Sequence, residues 1–487
     1  MKHIRLFTLT LATAASLIAS SCNDGFEELN QNPNTSEAAT PETLLASAFY
    51  NVVTRNQNRA LRLTNELMQV HVTTNNSDEI HRYVIRPSES DYMWNGWYLQ
   101  RTNFLDMYQS AASTNVSAVQ NRNFMGIALI GEVWVMSQLT DMFGDVPYTE
   151  ANRGREFLLQ PKFDAQEDIY VDLFRKLEEA NQHFKANQTF EPDFKPLDPI
   201  YNGDITKWRK FGNSLYLRLL MRASGKPEVN AAAKINEIYT KPAEYPIFQN
   251  NDESAMFRFT TTPPYTSGFF NYRDFDFNGD NSLSEFFIDN LNNWNDPRLP
   301  LWATKSEGIF QGIPSGYKVG EVPPAKSRYL PALKEEARLG NIINYAEVQF
   351  ILAEAAVEGF ISADPKTFYD KGVEAGITMW GVPMPADYLT NPMVAWDAGA
   401  NKFMMLEAIM LHKYYALFFT DFQQWHEYRR TGHPVLPKGE GLQNGGVMPS
   451  RFKYPVIVQS LNGANYNQAV IDMGGDDLNT KVWWNKP

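Results

Sequence analysis

The chain has 487 residues, 43% of them hydrophobic and 13% aromatic, with 44 Lys and Arg against 56 Asp and Glu. A formal charge of −12 with no basic run excludes a nucleic-acid-binding surface, and the apolar content is that of a chain with a real core. The single cysteine, Cys22, excludes a disulfide framework.

The chain begins "MKHIRLFTLTLATAASLIASSC". Lys2 and Arg5 precede an apolar run, Leu6 to Ala19, that is too short to span a membrane and reads as a secretory signal. Small residues (Ala19, Ser20, Ser21) stand directly before Cys22, an arrangement that resembles a bacterial lipobox. The expected processing removes residues 1–21 and attaches lipid to the Cys22 thiol, which anchors the protein to a membrane surface without crossing it. The competing expectation is an ordinary signal peptide with an incidental cysteine. Residues 22–40 are polar and read as a tether, and 41–487 as one domain.

From there helical patterns dominate. "PETLLASAFYNVVTRNQNRA" follows Thr40, a plausible N-cap, with Pro41 in the first turn. "NFMGIALIGEVWVMSQLTDMFG" predicts an apolar helix in which Gly126, Ala128 and Gly131 permit close contact. "AQEDIYVDLFRKLEEANQHF" places apolar residues at helical spacing. "DITKWRKFGNSLYLRLLMRAS" does so behind Asp204, an expected cap. "NYAEVQFILAEAAVEGF" and "TFYDKGVEAGITMWGV" predict a helix pair, and the stretch from Lys402 to Pro434 one or two more helices. The expected fold class is mainly α, with tetratricopeptide-like helix pairs packed against a loop-rich, irregular half. Pro, Gly, Asn and aromatics accumulate between residues 240 and 340, where long loops of this kind often carry function.

Catalytic signatures do not emerge. "HEYRR" at His426 lacks the second histidine of a zinc helix, and no nucleophile elbow, phosphate loop or dinucleotide fingerprint occurs. Glu347 and Glu354 stand about two turns apart on one predicted helix, and Asp141 and Asp145 flank a turn. Structural hydrogen bonding and capping explain both pairs as well as acid–base chemistry does.

"DFDFNGDNSLSE", residues 274–285, has the D-x-[DN]-x-[DN]-G-x5-E spacing of a calcium loop. Asp274, Asp276 and Asn278 would supply side-chain oxygens, Asp280 its carbonyl, Ser282 a water-mediated contact and Glu285 two oxygens. Pro263, Pro264 and Gly268 argue against an incoming helix, so the expected role of a calcium ion is to stiffen a loop. A metal-free Asx/Gly turn that caps the next helix is the alternative.

Several segments, in order, resemble the SusD/RagB-like outer-membrane lipoproteins of Bacteroidota: "DMFGDVPYTEA" (141–151), "YNGDITKWRKFGNSLYLRLLMR" (201–222), "NDPRL" (295–299), "YAEVQFILAEAAVEGF" (345–360), "RRTGHPVL" (429–436), "PSRFKYP" (449–455) and "TKVWW" (480–484). The branch resembles the second SusD-like group. The resemblance implies a mostly helical surface lipoprotein on the outer membrane. It implies capture of oligosaccharides or peptides, delivery to a SusC-like TonB-dependent β-barrel transporter, and no chemistry of its own. A surface-anchored all-helical glycan hydrolase and a helical-repeat adaptor are the competing expectations. The family's binding residues do not transfer by motif. Sugar recognition needs flat rings beside amides or acids, which points to Tyr92, Trp94 and Trp97 in "DYMWNGWYLQR" and to Tyr265 and Tyr272 in "PPYTSGFFNYR". Core packing is the other expectation for these rings.

Overall fold

The computed structural model describes residues 40–76, 80–113, 118–186 and 189–486. The expected signal peptide, Cys22 and residues 22–39 of the tether lie outside the described residues.

Helices α1 (Pro41–Arg59), α2 (Glu89–Ser113), α3 (Ala118–Phe143), α4 (Gln166–Lys185) and α5 (Ile205–Arg222) pack successively, each on the one before. α5 also meets α6 (Tyr345–Val357), which packs on α7 (Pro365–Thr378) and α8 (Lys402–Ala416). α9 (Gln423–Thr431) closes the helical half. Residues 223–344, between α5 and α6, hold short helices, two- and three-residue strands and long loops. The expected helix pairs and irregular half are both present. Among the described residues no helix is long and apolar enough to cross a membrane.

Local sequence explains these elements. α4 buries Ile169, Tyr170, Leu173, Phe174, Leu177, Ala180 and Phe184, the three-and-four spacing of an amphipathic helix. Asp204 caps α5 by accepting from the Lys207 N–H at 3.2 Å. Asp364 caps α7, with Pro365 in its first turn. The stretch after Lys402 forms two helices, because Phe419 and Asp421 turn the chain with positive φ.

α3 is apolar on all sides because α2 and α4 cover it. A Cβ on Gly131 would come within 2.2 Å of the Phe104 ring, and one on Gly126 within 2.5 Å of the Phe184 ring. Gly131→Val is therefore expected to destabilise the protein by about 3 kcal/mol, the upper end for overpacking. Urea unfolding measures this, and a change under about 0.5 kcal/mol, the size of an ordinary surface substitution, would contradict the close contact.

Buried ion pairs tie the helices together. Arg218 of α5 grips Glu347 of α6 through two hydrogen bonds of 2.6 Å, both side chains being 1% exposed. Arg222 joins Asp141 of α3 at 2.6 Å and Glu427 of α9 at 3.0 Å. Arg430 holds Glu354. Asp145 accepts from the Gln166 N–H at the start of α4. Both acidic pairs of the sequence are thus structural.

Candidate ligand-binding site

Strands β1 (His71–Thr73) and β2 (Asn281–Leu283) pair antiparallel, with His71 opposite Leu283, Val72 opposite Ser282 and Thr73 opposite Asn281. Side chains alternate along a strand. Val72 points into a small apolar cluster with Ile313 and Tyr317, and His71 and Thr73 line a cavity on the other side.

That cavity has a volume of about 460 Å³. Beyond Arg59, α1 runs on through a π-helical turn (Ala60–Thr64) and a last α turn (Asn65–Leu67). Asn58, Arg62 and Glu66, four residues apart, line the cavity with Arg59. π-Turns of this kind frequently mark functional sites. The opposite wall is Tyr272, Asp276, Asp280 and Asn281, and Tyr92 comes from the first turn of α2.

Polar contacts fix these groups. Glu89 receives Arg59 Nη1 and Arg62 Nη2, each at 3.0 Å. Burial pushes the Arg59 guanidinium below its ordinary value, and Glu89 pulls it back up. The guanidiniums of Arg55 and Arg59 each lie 4.0 Å from the centre of the Tyr92 ring, so cations occupy the aromatic face. The Tyr272 hydroxyl donates to Asn58 Oδ1 at 2.7 Å, and burial pushes its pKa up. Glu66 accepts from Thr73 Oγ1 at 3.0 Å and from the His81 N–H at 3.2 Å. The arrangement offers carboxylates, amides and guanidiniums with a minor aromatic share. It suits hydrogen bonding to a hydroxyl-rich ligand.

Of the five aromatic residues singled out in the sequence, Tyr92 and Tyr272 reach this cavity. Trp97 is 0% exposed and donates to Asn56 Oδ1 at 2.9 Å, so it belongs to the core. Tyr265 is half-buried and packs on Tyr50 and Phe257. Trp94 is 8% exposed and stacks edge-on with Phe143 and Tyr454; it floors a second, mainly apolar groove of about 350 Å³ with Tyr98, Leu159, Ile457 and Leu461. A helical spacing of three put both tryptophans on one face, and that face is the core.

The expected calcium loop has a different form. Asp274–Asn278 is a short helix, capped where Arg273 and Asp276 bond each other. Asp274 is 2.6 Å from Lys334 Nζ, and Arg273 holds the Asp276 carboxyl below its usual range. Asn278 donates to the Tyr329 carbonyl, the Asp280 carbonyl accepts from the Thr74 N–H, and Ser282 Oγ accepts from the Lys326 N–H. Glu285 opens the helix Glu285–Asn293 behind its cap, Ser284. Among the described residues no three His, Cys, Asp or Glu are grouped to hold a metal ion. These residues do not fit a calcium site: Lys334 answers Asp274, Arg273 answers Asp276, and Asn278, the Asp280 carbonyl and Ser282 are spent on pairing with backbone groups. Instead, Asp276 and Asp280 form a rim of the cavity.

Asn58, Arg59, Arg62, Glu66, His71 and Thr73 are among the lining residues that sequence reasoning missed. The available signal was a polar residue every fourth position, Asn58, Arg62 and Glu66, along the last turns of α1 and its continuation.

A family model described as starch-binding and associating with the outer membrane, the second SusD-like group, matches residues 33–455. No curated protein sequence matches the chain. Among solved structures, a chitin-binding protein is 27% identical with a TM-score of 0.78, covering 92% of this chain and 100% of its own. A SusD homologue from Bacteroides fragilis is 22% identical with a TM-score of 0.77, covering 92% and 100%. A chitin-binding SusD homologue from Flavobacterium johnsoniae is 21% identical with a TM-score of 0.78, covering 92% and 98%.

Proposed function

We infer the role of the protein from one premise: the chain belongs to the SusD-like family, described as starch-binding and associating with the outer membrane. We propose that it is a cell-surface binding protein, held at the outer membrane by lipid on Cys22. It captures an oligosaccharide in the polar cavity and delivers it to a SusC-like TonB-dependent barrel. It does no chemistry on the sugar. The observation that carries this reading is the cavity lining, in which Asn58, Arg62, Asp280 and Asn281 offer both donors and acceptors beside two tyrosines. The similarity to a chitin-binding protein makes N-acetylglucosamine oligomers the first ligand to try, with starch oligosaccharides second.

Calorimetry of the lipid-free protein with both oligomer series tests the reading, and chromatography of the same mixtures looks for products. Binding without shortened sugars is the expected result; release of shorter sugars would replace the binder with a hydrolase. Co-purification of a large β-barrel checks the partner. Asp280→Ala is expected to weaken binding about 10- to 150-fold, the loss of a charged hydrogen bond of about 1.5–3 kcal/mol. An unchanged Kd would remove Asp280 from the site.

A further inference from the structure

His71 and Glu66 stand side by side on the cavity wall, and one nitrogen of the His71 ring is without a hydrogen-bond partner among the described residues. His71 is 1% exposed and Glu66 3%, and both line the cavity. His71 Nδ1 lies 2.7 Å from the hydroxyl of Tyr329. That hydroxyl already accepts from Asn65 Nδ2 at 2.9 Å, so its single hydrogen is directed to the imidazole. Tyr329 is buried, which pushes its pKa well up and keeps that hydrogen in place. The tautomer assigned from this network has Nδ1 as acceptor and Nε2 carrying the ring hydrogen.

Nε2 has no hydrogen-bond partner among the described residues. Glu66 Oε1 lies 3.8 Å away, beyond hydrogen-bonding distance. Oε1 is itself oriented by Thr73 Oγ1, which pairs across the strands with Asn281. A buried donor and a buried acceptor therefore face each other across a gap. An oxygen about 2.8 Å from each would bridge it, provided that it can accept one hydrogen bond and donate another. A hydroxyl meets that requirement. A carboxylate or sulfate meets only half of it and would confront Glu66, and an ammonium has no lone pair for Nε2–H.

Resting on the saccharide-binding reading above, we propose that His71 Nε2–H and Glu66 Oε1 clasp one hydroxyl of the ligand, so that a neutral hydroxyl is favoured at this end of the cavity over a carboxylate, sulfate or ammonium group in its place. Both residues are ligand-contacting and neither is catalytic. The clasp is set before ligand arrives, since Tyr329 and Thr73 hold its two halves.

The test joins two measurements on the lipid-free protein. In the first, selective ¹⁵N labelling of histidine reads the His71 tautomer in the free protein and again with N-acetylglucosamine hexamer added. The expected result is an Nε2–H tautomer whose Nε2 resonance moves on binding while Nδ1 holds its position. An Nδ1–H tautomer overturns the proposal without reference to any ligand. In the second, calorimetry compares the wild type with His71→Phe, which keeps a ring against Tyr329, and with Glu66→Gln, which keeps size and removes the charge. A loss of tenfold or more in affinity for each, with unchanged melting temperature, supports the clasp. Hexamer binding of wild-type strength in a folded His71→Phe overturns the clasp and leaves the saccharide-binding function intact. If neither the hexamer nor a starch oligosaccharide binds the wild type while the Nε2–H tautomer is present, the functional reading has failed and the clasp falls with it.

Discussion

Glu347→Ala is expected to destabilise the protein by about 3–5 kcal/mol, because it strands Arg218 as an unpaired buried charge. Arg218 makes two 2.6 Å contacts to the carboxylate and a third bond, 2.8 Å, to the Ile342 carbonyl. Only the last survives the substitution. The pair joins α5 to α6, so its loss loosens the contact between the two groups of helices. Urea unfolding should show a lower midpoint with an unchanged slope. Removing both partners, with Arg218→Met and Glu347→Leu together, is expected to restore much of the loss, since apolar replacement of a buried pair is often neutral. A single-variant loss below about 1 kcal/mol would place water beside Arg218 and refute a dry pair.

The second large effect concerns pH. Asp421 sits between α8 and α9, where it accepts from the Gln423 side chain at 2.8 Å and from Gln138 and the Phe422 N–H. Burial raises its pKa from 3.8 to about 6, and Arg218 offsets this only in part. The folded protein thus holds a proton that the unfolded chain releases nearer 3.8. The contribution from Asp421 is fully present below about pH 3.8 and is lost as pH rises through about 6, a change of about 3 kcal/mol. Burial pushes Glu427 up, but Arg430, Lys413 and Arg222 together hold it well below its ordinary value, so it acts in the opposite direction. Comparison with Asp421→Asn isolates the first group, because the Glu427 contribution is common to both proteins. The wild type should lose stability relative to the variant between pH 4 and 7. Parallel pH profiles would mean that Asp421 does not titrate in this window.

The helices were largely legible in the sequence. Their periodicity, the cap at Asp204 and the small residues of α3 are local features, and the structure keeps them. The cavity was legible only in fragments. Tyr92 and Tyr272 were found because aromatic residues attract notice, but Trp97 and Tyr265 were indistinguishable from them until burial was known. Spacing identified the acids of 274–285, yet it cannot show that Lys334 answers Asp274, because that lysine lies sixty residues further on. Arg62, Glu66 and His71 form a site only when β1 finds β2, and no local pattern reports that pairing.

Thr73 and Asn281 face each other across the strand pair although 208 residues separate them in the chain. The cavity is therefore also the point where a very long loop closes, and such closures form slowly. No fragment that ends before residue 281 contains both walls. On the proposed function, a sugar seated between them is a removable cross-link on the whole fold: at a hundred times its Kd it would add about 2.7 kcal/mol to global stability. Resistance to proteolysis should consequently track sugar concentration. On the proposed function, the protein is sturdiest with sugar bound and most vulnerable once the sugar has left.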